Sequence, residues 1–152
     1  MKKDLVIKMR QGVWDEFIVK NQTVDSFMKI YENVLKANDF KFKEKKQDKN
    51  ILRHKAIWGE GKRAFKRSVV PGGALTEKGN RYASEVEISQ KGKDVHFKIL
   101  MVPYMSLHDR PDIFLLTQGP MERHMDDEYC KDKLFKIVTQ LRENNLEMIS
   151  QT

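Results

Sequence analysis

The sequence predicts an α+β fold: one domain in which an antiparallel sheet of about five to seven strands carries an N-terminal helix or helices and a C-terminal helix on one face. Three observations carry that expectation. Tyr82, Ser84, Val86 and Ile88 alternate with Ala83, Glu85 and Glu87, and after Gln90-Lys91-Gly92-Lys93 the alternation resumes with Val95, Phe97, Ile99 and Met101. A period of two means two strands, each with one face buried. Four connecting residues with a glycine among them suit a tight reversal, so the strands pair as an antiparallel hairpin. Upstream, Val24, Phe27, Met28, Tyr31, Val34 and Leu35 recur every third or fourth residue, the stripe of an amphipathic helix. Downstream, Cys130, Leu134, Ile137, Val138 and Leu141 form a comparable stripe behind acidic residues that suit a helix start.

The elements follow in chain order. Leu5, Ile7 and Met9 alternate with Val6, Lys8 and Arg10 as a first strand, ended by Gly12. Val13, Trp14, Phe17 and Ile18 then fall at helical spacing over two turns, with Asn21 as a stop; a strand running to Val19 is the competing assignment. Thr23 caps the next helix, and Asn38 and Asp39 end it. Phe40 and Phe42 open a strand that turns polar through Lys45, Lys46 and Asp48, and Asp48-Lys49-Asn50 reverses the chain into a strand over 51–58. There Leu52, His54, Ala56 and Trp58 share the core face. Gly59 and Gly61 mark a turn, 63–70 reads as a further strand, and Val70-Pro71-Gly72-Gly73 is a turn because proline presets one dihedral and glycine accepts a positive one. Residues 71–81 are expected in an exposed loop, 103–111 in a second loop and 113–117 in a short covered strand closed by Gly119-Pro120. The last helix runs from about Asp126 to Asn144-Asn145, and the last few residues are expected to fray.

No repeat or Gly/Pro/Ser-rich linker divides the chain, and strands separated by turns argue against alternating parallel units. The element order resembles the helix-grip architecture of the pollen-allergen and lipid-transfer superfamily, in which a curved sheet wraps a long C-terminal helix. That resemblance spans the chain, but Trp58-Gly59-Glu60-Gly61 departs from the family's glycine-rich loop, and no functional residue carries over.

Composition narrows the setting. With 152 residues, 39% of them hydrophobic, the chain can build one real core, and its aromatic content is not that of a disordered segment. The single cysteine, Cys130, allows no internal disulfide and suits a reducing compartment, so a cytoplasmic protein is expected. Asp4, Lys8 and Arg10 interrupt anything that would serve as the apolar segment of an export signal. The uncharged runs at 99–107 and 113–121 are nine residues each, against the roughly 20 that a spanning helix needs, so no membrane span is expected.

Charge is the least uniform feature. Residues 41–67 hold eight Lys and three Arg against Glu44, Asp48 and Glu60, a net +8 in a chain whose total is +7. Lys43, Lys45, Arg53, Lys55, Lys62, Arg63, Lys66 and Arg67, with Trp58, are the candidate anion-binding set. Cations beside Phe42, Trp58 and Phe65 would pair phosphates while a ring stacks on a base, so nucleic acid or an acidic protein surface is the expected partner. Lysine on an edge strand also discourages edge-to-edge aggregation, which accounts for the same residues without any partner. The alternative function is a helix-grip-like pocket for an apolar small molecule or lipid, with or without catalysis, suggested by the element order and by inward Met and aromatic residues that otherwise simply fill a core.

Other chemistries lack a pattern. His124, Asp126, Asp127, Glu128 and Cys130, with His108, Asp109 and Asp112 in the preceding loop, are metal-ligand types, and a helix that includes His124 puts it on one face with Glu128. Acids at a helix start are explained by the helix dipole, and Cys130 by the apolar stripe, so no metal or cofactor is expected. His54 and His96 are lone strand histidines. Ser68, Ser84 and Ser106 sit in no nucleophile motif, and Gly59-Glu60-Gly61-Lys62-Arg63 has neither Walker nor dinucleotide spacing. A non-enzymatic binding module is the expected class, with its oligomeric state unread.

Overall fold

Alternation and pairing account for most of the architecture. The computed structural model describes residues 13–59, 81–103 and 120–151. In chain order it contains β1 (Val13–Val19), α1 (Val24–Ala37), β2 (Phe40–Asp48), β3 (Ile51–Trp58), β4 (Tyr82–Lys91), β5 (Asp94–Pro103), α2 (Pro120–Glu143) and β6 (Met148–Ser150). The six strands form one sheet in the order β2-β3-β4-β5-β1-β6, every pair antiparallel. The expected strands at 5–10, 63–70 and 113–117, and the loops at 71–81 (apart from Arg81) and 104–111, lie outside the described residues.

The β4–β5 hairpin is the centre of the sheet. Tyr82, Ser84, Val86, Ile88, Val95, Phe97, Ile99 and Met101 are all buried, as the period of two requires. The reversal is tighter than four residues: Gln90 and Lys91 pair with Val95 and Asp94, and Gly92 turns the chain in the left-handed region at φ 59°. Gln90 then clamps the neighbouring loop, accepting from the Val24 N–H at 2.9 Å and donating to the Gln22 carbonyl at 2.9 Å. Asp94 does the same from β5, accepting from the Asn21 N–H and the Lys20 ammonium, and those bonds hold its carboxyl below the usual range. The start of α1 is thereby fixed over the hairpin.

Helix α1 forms where its stripe and caps place it. Thr23 and Ser26 exchange side-chain-to-backbone bonds in a capping box, satisfying N–H groups that a helix start leaves orphaned. Asn38 caps the other end and also reaches Gln140 on α2 at 2.9 Å. Phe27, Tyr31 and Leu35 are fully buried against the sheet, each contributing about 1.5–3 kcal/mol by burial. Phe27 lies 4.8 Å and Tyr31 5.4 Å from Phe97, ring centroid to centroid. The Tyr31 hydroxyl bonds Ser84 at 2.8 Å inside the core, and burial pushes the phenol well above the ordinary tyrosine range, so it stays protonated.

Three expectations need correction. Residues 13–19 are a strand and not a helix: they pair with β5 on one side and β6 on the other, with Phe17 and Val19 buried and Trp14 exposed. A run this short, rich in β-branched and aromatic residues, satisfies both periods, and pairing decides. Residues 146–150 do not fray, because buried Leu146 and Met148 anchor them and Arg142 donates to the Met148 carbonyl at 2.8 Å. Helix α2 starts at Pro120, where proline's missing N–H is harmless, so Asp126 to Glu128 lie beyond its first turn and the helix dipole does not explain them. Ile57, Ala83, Leu100 and Val102 point away from the helices and form a second buried cluster.

The β6 strand yields a stability contrast. Met148→Ala should destabilise the protein by about 2–5 kcal/mol in chemical denaturation, because it empties a buried site, whereas Ile149→Ala, at an exposed neighbour, should stay within about 0.5 kcal/mol. Equal effects would mean that β6 does not dock.

Candidate functional site

The charge of residues 41–67 is redistributed once strands pair. Along the face away from the helices, one transverse row reads Arg53, Glu87, Lys98, Glu16, alternating in sign across four strands. Arg53 approaches Glu87 at 3.8 Å and Lys55 approaches Glu85 at 3.7 Å. Opposite charges facing across an antiparallel pair are favourable by roughly 0.2–1 kcal/mol each, and more to the point here they cancel one another's field. His96 continues this pattern, 2.8 Å from Glu16, and the Lys98 ammonium stands 5.2 Å from the Trp14 ring centroid. The basic side chains of β3 are therefore half of an ion-pair ladder.

Strand β2 differs because it is an edge of the sheet among the described residues. After buried Phe40, every residue from Lys41 to Asp48 is exposed, so Lys41, Lys43 and Lys46 present charge to solvent without the facing acids that β3 has. Lys45 reaches Glu32 on α1 at 3.6 Å. A bulge shifts the register between Phe42 and Glu44, and extra residues of this kind twist an edge and interrupt its ladder. Lys49, at φ 54°, makes the turn into β3.

Phe42 is the aromatic residue on this edge. Its ring faces the helix side but lies at the margin of α1, leaving it 42% exposed. The Lys36 ammonium, from the last turn of α1, stands 5.5 Å from its centroid, and His54 packs edge-on against it at 5.0 Å and 80°. His54 is almost fully buried, also edge-on to Tyr31, and its Nδ1 has no hydrogen-bond partner among the described residues. Burial pushes its pKa down, with Glu32 opposing and Lys45 adding to the shift.

The expected residues thus separate. Lys43 and Lys45 lie on the edge; Arg53 and Lys55 lie on the opposite face in ion pairs. Trp58 faces α2, where the buried Lys133 ammonium sits 3.5 Å over its ring and 5.2 Å from Tyr82, so one face of that indole is already taken. Lys62, Arg63, Lys66 and Arg67 lie outside the described residues. Lys36, Lys41 and Lys46 join the edge in their place; Lys36 escapes a sequence count because it reaches Phe42 only after the chain turns at Asp39, φ 64°. Cys130 is buried on the apolar stripe of α2, and among the described residues no three His, Cys, Asp or Glu side chains converge as a metal site. His108, Asp109, Asp112, and the side chains of His124 and Asp126, lie outside the description. The inward Phe17, Phe27, Tyr31 and Phe97 rings pack on one another. Among the described residues, no helix is long and apolar enough to cross a membrane. The chain matches no protein-family model and no curated protein.

His54 generates a pH test with a defined sign. A histidine whose folded pKa lies below its unfolded value of about 6.5 stabilises the fold above that pH, and the contribution is lost as pH falls toward the folded pKa. Wild type should therefore lose up to about 1.4 kcal/mol per pH unit in that window, and His54→Leu should flatten the dependence in urea melts between pH 7 and pH 5 (about the range where histidine titrates). An unchanged slope in the variant would assign the acid sensitivity to other groups.

Proposed function

We propose that this protein is a non-enzymatic binding module that engages an anionic partner, nucleic acid or an acidic protein surface, along the β2 edge of its sheet. The observation that supports this is the uninterrupted exposure of β2 from Lys41 to Asp48, at a sheet edge where five lysines of residues 40–50 face only Glu44 and Asp48 in sequence. Exposed cations concentrated on one side, beside an interior whose charges are paired, produce a local field that attracts polyanions. The helix-grip-like pocket draws on element order alone, and the stacked rings beneath α1 are accounted for as core, so it ranks second.

The rival account, that these lysines only keep sheet edges apart, makes a different prediction. Reversing Lys41, Lys43 and Lys46 to Glu should weaken polyanion binding at low salt by about tenfold or more and lower the slope of log K against log salt by about 2, since each neutralised phosphate releases counterions. Reversing Lys91, Lys131 and Lys136, which are exposed elsewhere, changes total charge equally and should do much less. Equal losses would mean that net charge alone governs binding, and no binding by wild type at low salt would leave the edge lysines as an anti-aggregation device.

A further inference from the structure

Resting on the reading of β2 as the contact surface, we infer that the anionic partner is single-stranded nucleic acid, with an unpaired base stacked on Phe42 and flanking phosphates held by Lys36 and Lys43. An acidic peptide would need only the cations. It makes no use of the phenylalanine ring that stands 42% exposed at the margin of the helix-covered face.

The surroundings of that ring suit stacking. His54, only 3% exposed, packs edge-on against Phe42 at 5.0 Å and against Tyr31 at 5.8 Å. Tyr31 is in turn tied to Ser84, so Phe42 rests on a fixed layer and a bound base meets a ring that is already positioned. Two lysines come from separate elements, Lys36 from the last turn of α1 and 5.5 Å from the ring centroid, and Lys43 from the β2 bulge that follows Phe42, while Lys41, paired with Ile57, lies on the opposite face. Cations flanking a ring along an edge match the alternation of phosphates and base in an extended strand. A duplex conceals its base faces and could use only the lysines. A second copy of the chain is a poor occupant, since antiparallel pairing of β2 with itself would set like-charged lysines against one another.

The experiment is fluorescence anisotropy at low salt with a thymidine oligonucleotide, an abasic oligonucleotide of equal length and an oligoglutamate. Wild type should bind the thymidine strand about tenfold or more tightly than the abasic strand, since one stacked base is worth about that factor. Phe42→Ala should erase the difference while leaving the abasic affinity unchanged, and Phe42→Tyr should restore it. Should Phe42→Ala fold poorly, Phe42→Leu keeps apolar volume without a flat π face and should likewise erase the difference. Equal affinity of wild type for thymidine and abasic strands, or tighter binding of oligoglutamate, would overturn the stacking inference while the anionic-partner reading stands. Absence of salt-dependent binding to all three would overturn both.

Discussion

The register between β3 and β4 is the constraint on which both core and surface depend. Pairing Leu52 with Ile88, His54 with Val86 and Ala56 with Ser84 sends that set under the helices, and the same register sets Arg53 against Glu87 and Lys55 against Glu85 on the opposite face. Because side chains alternate, a slip by one residue would turn the apolar set to solvent and break both ion pairs together. The acids of the central hairpin thus spend the charge of β3. What stays uncompensated lies one strand further out, on β2.

That arrangement gives an edge with two physical properties that pull in different directions. Lysines and a bulge make β2 a poor template for another strand, while under the proposed function the same lysines draw a polyanion to it. Phe42 distinguishes the two roles, since a ring left half in water adds nothing to protection against aggregation. Its support by His54 also links surface to interior: the buried imidazole that favours its neutral form is the layer on which the exposed ring rests.

What was legible in the sequence was local. Thr23, the stripe from Val24 to Leu35 and Asn38-Asp39 start, orient and end α1, and the hairpin's two alternating runs define their own inward faces. Strand β1 was not legible in the same way, because Val13, Trp14, Phe17 and Ile18 satisfy both periods and only β5 and β6, distant in sequence, decide between them. β6 is three residues long, too short to carry a period. The burial of Ile57, Ala83, Leu100 and Val102, on the face away from the helices, is not encoded by alternation alone. The site divides along the same line: counting charge along the chain located the basic region, but Glu85 and Glu87 neutralise β3 from another strand, and Lys36 joins Phe42 from a helix.

The central claim is that register leaves β2 as the contact surface. Residue-resolved amide hydrogen exchange, with and without saturating thymidine oligonucleotide, tests it most directly. The account predicts added protection over residues 40–50 and the last turn of α1, with little change elsewhere. Protection centred on α2 or on the β1–β6 edge, with β2 unchanged, would contradict it.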